Sequence, residues 1–229
     1  MRASRVFAVA IGVFMLATAM PAAAQAPAAP KAPAPAPMQT GTGLQLGVLG
    51  GLSAVQNVGP MAGIQASYAV NDRIQIEAEG LWMKDVVTRA RLNSATSLAN
   101  AMTTSTGKAT TATVEAPANY GGVSVRFLIP MDGAVHPYVA VGGGFSKVVY
   151  KPAFTLGGTD VTTTLATYGV VLGSDLTGEV TQAAFTGGFG VLVDKSRTSF
   201  DVGVRLLSIQ TEGQKTNVIR AHIGVAYKF

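Results

Sequence analysis

From about residue 42 to the end of the chain, apolar and polar side chains alternate with a period of two, in eight separate stretches. That period puts successive side chains on opposite faces of an extended strand. In the first stretch Leu44, Leu46, Val48 and Leu52 share one parity against Gln45, Gly47, Gly51 and Ser53. The second sets Ile64, Ala66 and Tyr68 against Gly63, Gln65 and Ser67. Ile74, Ile76, Ala78 and Trp82 then oppose Gln75, Glu77 and Glu79, and Val123, Val125, Phe127 and Ile129 oppose Ser124 and Arg126. The fifth stretch, Tyr138 to Tyr150, carries Val139, Val141 and Phe145 on one parity but Val148 and Tyr150 on the other, which predicts a β-bulge. Phe185, Phe189, Val191 and Val193 next oppose Thr186, Gly188 and Gly190; Phe200, Val202, Val204 and Leu206 oppose Asp201, Gly203 and Arg205. The last stretch sets Ile219, Ile223, Val225, Tyr227 and Phe229 against Arg220, His222, Gly224 and Lys228.

Alternation alone does not say which solvent the apolar face meets. The mean hydropathy is +0.34 and only 13% of residues are charged. Yet beyond the N-terminal leader there is no unbroken apolar run long enough for a membrane helix. Apolar residues spread thinly over alternating stretches are what strands crossing a bilayer require. The connections point the same way. Asn71-Asp72, Pro130 to Pro137 and Asp194 to Arg197 read as short turns, alternating with longer links at 55–60, 85–118, 151–179 and 210–217. Short turns at one end and long loops at the other predict an all-β, eight-stranded antiparallel transmembrane β-barrel over 42–229. The two longest links are rich in Thr, Ser, Ala and Gly, contain no recognisable binding motif, and read as solvated, mobile loops.

The N-terminal residues have a different composition. Arg2 and Arg5 precede an apolar run from Val6 to Met20, and Ala22-Ala23-Ala24 stand before Gln25. This order predicts a cleaved secretory signal peptide over 1–24, the run being shorter than the ~20 residues that span a bilayer. Residues 25–41 are rich in Pro and Ala and predict a stiff periplasmic extension. The chain has no cysteine, which excludes a disulfide framework, a thiol nucleophile and a lipid-modified cysteine anchor. Without Arg2 and Arg5, fifteen basic residues face twelve acidic ones, a net charge of +3. They are scattered, so nucleic acid is not an expected partner.

The final residues, His222-Ile223-Gly224-Val225-Ala226-Tyr227-Lys228-Phe229, place a polar residue, Gly and two aromatics at fixed spacing up to the terminus. His222, Gly224, Tyr227 and Phe229 resemble the C-terminal signal that the outer-membrane assembly machinery reads. Pro137-Tyr138-Val139-Ala140-Val141-Gly142-Gly143-Gly144 resembles a strand common in small outer-membrane barrels of the OmpA/OmpX-like and opacity-like type. The resemblance covers about residues 40–229. It implies periplasmic termini, the outer membrane of a Gram-negative bacterium, and outer-membrane lipid, lipopolysaccharide and the assembly machinery as partners. The cell-wall tethering of two-domain relatives is not implied, since the chain stops at Phe229. Aromatic side chains are expected to form two girdles: Tyr68, Phe127, Phe200, Tyr227 and Phe229 toward the short turns, and Trp82, Phe145 and Phe185 toward the long loops.

The inward parity carries Glu77, Glu79, Arg126, Asp201, Arg205, Arg220, His222 and Lys228. An eight-stranded barrel has room inside only for side chains, and buried charges need partners. A polar network is therefore expected, with Glu77 beside Arg126 and Asp201 beside Lys228. Neither His136 nor His222 has a second histidine at metal-ligand spacing, so no metal or other cofactor is expected. In lipid A deacylase barrels a late strand carries His-x-Ser, but here Gly224 follows His222 at that spacing, so no nucleophile and no catalysis are expected. The expected function is a structural and surface-interaction role in the cell envelope. Two alternatives stand beside it: a small gated pore for ions or solutes, and an adhesin contacting host or neighbouring-cell surfaces through loops 85–118 and 151–179.

Overall fold

A computed structural model of the chain describes residues 43–173, 176–211 and 214–229. The signal peptide expected over 1–24 and the extension expected over 25–41 lie outside the described residues. Eight strands form the wall: β1 (Leu44–Ala54), β2 (Val58–Asn71), β3 (Ile74–Met83), β5 (Ala118–Leu128), β6 (Val135–Leu156), β8 (Gly178–Lys195), β9 (Thr198–Thr211) and β10 (Gln214–Lys228). Each pairs antiparallel with its neighbours in the order β1-β2-β3-β5-β6-β8-β9-β10, and β1 pairs with β10 to close the ring. Closure is what lipid demands, because a strand edge in hydrocarbon would leave unpaired backbone groups.

The short turns are fixed locally. The Asn71 side-chain oxygen accepts from the backbone N–H groups of Arg73 and Ile74, both at 2.9 Å, which turns β2 into β3. Outward positions are apolar through the middle of every wall strand, and all eight aromatics expected in the girdles are exposed on the outer wall.

Two expectations fail here, for one reason. No bulge interrupts β6: its register runs unbroken against β5 from Tyr138 to Val148 and against β8 from Val135 to Tyr150. Val148 and Tyr150 are buried because they face inward, into an interior that becomes apolar near the long loops. The register shift among the first wall strands lies between β2 and β3, at Ala69/Asn71. The links 85–118 and 151–179 are not structureless loops either. The first holds helix α1 (Arg89–Thr106) and strand β4 (Thr110–Glu115), which extends the barrel sheet along the upper part of β6. The second holds β7 (Thr159–Asp160) and a 3-10 helix, Thr162–Tyr168.

α1 starts at Thr88, whose hydroxyl accepts from Arg91 N–H at 3.5 Å, and stops at Gly107 in the left-handed region (φ 70°). Its buried face is Ala95, Ala99 and Met102. That face joins inward-facing Met61, Leu81, Met83, Leu207, Ile209 and Val218, with Phe154 and Leu165 from the other link, in one apolar cluster. The long links thus fold down as a cap because they complete the hydrophobic interior of the barrel mouth.

The polar interior as candidate functional site

Beneath the apolar cluster the inward face is polar, and its charged groups meet across the lumen. Glu77 and Glu79 project from β3, Arg126 from β5, Asp201 and Arg205 from β9, and Arg220 and His222 from β10. β3 and β9 are four steps apart round the ring of eight in either direction, so contacts between them span the barrel. All seven side chains are buried.

The contacts form a chain of alternating sign. Arg220 Nη2 lies 3.0 Å from Glu79 Oε1, and Arg205 Nη1 lies 3.3 Å from Glu79 Oε2 and 2.5 Å from Glu77 Oε1. Glu77 also forms an ion pair with Arg126, whose Nη2 is 2.5 Å from Asp201 Oδ2. Three guanidiniums therefore balance three carboxylates. Arg205 and Arg220 are direct partners in the β9–β10 register. Such like-charged neighbours repel, and Glu79, reaching across from β3, bridges them.

Neutral groups complete the set. Arg126 Nη1 donates to Gln75 Oε1 (3.2 Å), Arg220 Nη2 to Thr186 Oγ1 (3.0 Å), and Ser124 Oγ to Glu77 Oε1 (3.3 Å). Tyr138 OH donates to Asp201 Oδ1 at 2.7 Å, and Arg126 stacks 4.8 Å from the Tyr138 ring. His222 Nε2 lies 3.5 Å from Asp201 Oδ2. Space for this group comes from missing side chains. A Cβ on Gly203 would stand 2.8 Å from both His222 Cε1 and the Tyr138 hydroxyl, and one on Gly190 would stand 2.6 Å from that hydroxyl.

Glu77 and Arg126 meet as expected from their heights, but Asp201 and Lys228 do not. Asp201 registers opposite Gly224, four residues along β10 from Lys228. That gap is about 14 Å along a strand, and Lys228 instead pairs with Asp194 at 2.8 Å near the short-turn end. Of the expected terminal signal, His222 and Gly224 face inward while Tyr227 and Phe229 lie exposed outside, their rings 5.1 Å apart and edge to face. Sequence reasoning missed Tyr138 and Gln75 as members of the network. Both sit on the inward parity of their strands, which is the signal that would have found them.

The hydroxyl that reaches Asp201 is that of Tyr138, which is buried and donates to the carboxylate at 2.7 Å. Among the described residues no group of three or more His, Asp or Glu side chains could hold a metal ion.

Residues 10–229 match the family model described as the outer membrane protein beta-barrel domain. No curated protein sequence matches the chain. Among solved structures, the chain is similar to Neisserial surface protein A, with 13% identity, 81% of this chain and 96% of that one covered, and a TM-score of 0.50. It is also similar to the N-terminal β-barrel domain of OprF from Pseudomonas aeruginosa (12% identity, 82% and 98% covered, TM-score 0.49). A third is Ail, the attachment invasion locus protein of Yersinia pestis (10%, 82% and 97%, TM-score 0.43). At such identities the likeness to Neisserial surface protein A is one of fold. With the family model spanning nearly the whole chain over a closed eight-stranded ring, the protein belongs to the outer membrane protein β-barrel domain family of the Gram-negative outer membrane.

Proposed function

We propose that the protein is a non-catalytic envelope barrel, closed to solutes, that presents its long-link cap on the outer surface of the cell. The observation that supports this best is the charge-balanced ladder buried under an apolar layer. An ion passing through would have to separate Arg205 from Glu77 and Glu79, then cross Met61, Met83, Leu207 and Val218, which offer it no ligands. The same ladder is the strongest argument against the rival reading, a small gated pore. Planar-bilayer recording on the purified, refolded chain tests the choice. No steady ohmic conductance is expected. Stable channels that vanish in Arg126→Ala or Arg220→Ala would overturn the closed reading.

Surface interaction is the finer part of the proposal, and the ordered cap favours it. A pre-formed surface loses less conformational entropy on binding than a mobile loop. The exposed face of α1 includes Asn93, Thr96, Ser97 and Asn100, with no acidic residue anywhere in the helix. Deleting links 85–118 and 151–179 would uncover the apolar cluster, so the cleaner test is the pair Asn93→Asp and Asn100→Asp. Binding of intact cells to a host or neighbouring-cell surface should weaken, with the barrel still folded; unchanged binding would remove α1 from the contact. The terminal strand, through His222, Gly224, Tyr227 and Phe229, is proposed as the segment that the assembly machinery reads.

A further inference from the structure

We propose that charge steers the closure of the ring, because the two halves of the wall carry opposite net charge on the face that becomes the lumen. The first half is β1, β2, β3 and β5, and the second is β6, β8, β9 and β10. Inward charges of the first half are Glu77, Glu79 and Arg126, two carboxylates against one guanidinium. Those of the second are Asp194, Asp201, Arg205, Arg220 and Lys228, two carboxylates against three cations, with His136 and His222 counted neutral. Each half alone therefore holds one charge in excess, negative in the first and positive in the second.

Neither excess can be cancelled within its own half. Arg126 pairs with Glu77 on the neighbouring strand, which leaves Glu79 without a cation of its own. In the second half Lys228 pairs with Asp194 near the short turns. Arg205 and Arg220 stand as direct partners in the β9–β10 register and repel. Asp201 lies four residues from Arg205, about 13 Å along the strand. Both excesses vanish when the sheet curls. Arg205 then meets Glu77 and Glu79, Arg220 meets Glu79, and Arg126 meets Asp201. All of these contacts join one half to the other across the lumen.

The seam itself supplies no such attraction. The inward residues that β1 sets against β10 are Gln45, Gly47, Leu49, Gly51 and Ser53, all uncharged. The pull that brings β10 round to β1 therefore comes from β3, two strands inside the seam. Charges in a lumen surrounded by hydrocarbon are screened little and act over several ångströms. The cross-lumen pairs thus form before the β1–β10 ladder zips. Removing the charge difference between the halves slows closure more than it speeds unfolding.

The test compares two double variants of the full chain, each lacking one carboxylate and one guanidinium and each neutral over the ladder as a whole. Glu79→Gln/Arg220→Gln abolishes the charge difference between the halves, whereas Glu77→Gln/Arg126→Gln keeps it. Chains are diluted from urea into phosphatidylcholine vesicles, and the fraction with folded gel mobility is followed with time. Unfolding is followed in the reverse direction. Closure of Glu79→Gln/Arg220→Gln should slow by about tenfold, the low end of rate effects from electrostatic steering, with its unfolding rate little changed. Glu77→Gln/Arg126→Gln should close at the wild-type rate. Equal folding rates in the two variants, or a loss seen only as faster unfolding, overturns the proposal. If Glu79→Gln/Arg220→Gln does not fold, the swap Glu79→Arg/Arg220→Glu decides. It reverses the sign of both halves and should close at the wild-type rate, while either single change gives both halves the same sign and should close far more slowly. A swap no faster than its single changes overturns the proposal as well.

Discussion

The same strands and the same inward parity build two unlike interiors. In the middle of the barrel β9 turns Asp201 and Arg205 inward, and two to four residues nearer the long links it turns Leu207 and Ile209 inward. β3 does likewise, with Glu77 and Glu79 followed by Leu81 and Met83. The polar section gains specificity, because each charge must find one partner at one height across the lumen. The apolar section is tolerant of partners, so it can accept a helix and two links from outside the wall as part of one cluster. What the difference teaches is a division of labour. Directional contacts brace the wall where lipid surrounds it, and non-directional packing attaches the cap where the strands leave the bilayer.

The sharpest way to break this comparison is to remove one charge from the middle. Arg205→Leu strands Glu77 and Glu79 with too few cations in a buried site, and uncompensated buried charge costs about 3–5 kcal/mol. Urea unfolding of the barrel in lipid, followed by gel mobility, should show a loss of that order. Combining it with Glu77→Gln should recover part of the loss, since one carboxylate is then neutral. No recovery would mean that the ladder is not a single charge-balanced unit.

The matching change one step along the same strand is Leu207→Ala. Leu207 is fully buried (0% exposed), and deleting its side chain should cost about 3 kcal/mol through lost burial and the cavity left behind. The contrast lies in where the damage spreads. Leu207→Ala should raise hydrogen exchange in α1, which shares its cluster, whereas Arg205→Leu should leave the helix protected until the wall unfolds. Equal exchange of α1 in both variants would erase the distinction between the two sections.

Much of the wall was legible in the sequence, because lipid on one side and a filled lumen on the other impose the period of two at every strand. The errors arose where that logic reverses. Val148 and Tyr150 face inward yet are apolar, so a rule equating apolar with outward produced a bulge that is absent. The pairing of Asp201 was equally out of reach. Its partners Arg126 and Tyr138 lie on β5 and β6, three and two strands away in the wall, and meet it only because the sheet curls round a narrow lumen. Helix α1, by contrast, had left a local trace: Leu92, Ala95, Ala99 and Met102 at helical spacing, between Thr88 and Gly107. The richness in Thr and Ser hid it, since those residues usually favour turns.

A smaller change sharpens the comparison from inside the polar section. Gly203→Ala adds a Cβ 2.8 Å from His222 Cε1 and from the Tyr138 hydroxyl, and 3.0 Å from Phe189 O. Overpacking of this kind costs about 2 kcal/mol. The paired variant Gly203→Ala/Tyr138→Phe should recover part of it, because one of the crowding atoms is gone. Additive losses would show instead that the hydrogen bond to Asp201 outweighs the crowding.

The smallest effect is expected at the edge of the cap. Thr88→Ala removes the hydroxyl that accepts from Arg91 N–H, a contact already long at 3.5 Å. Loss of such an N-cap costs about 1 kcal/mol. α1 has no acidic residue in its first turn and carries Arg89 there, so its dipole gets no help from side-chain charge. Thr88→Asp should therefore do better than the wild type, supplying both a cap acceptor and a negative charge. Hydrogen exchange over Leu92 to Ala99 reads both variants, faster in the alanine form and slower in the aspartate form, with the wall strands unchanged. If exchange in β9 moved with that of α1, the cap and the braced wall would have to be one cooperative unit, and the two interiors would not be independent.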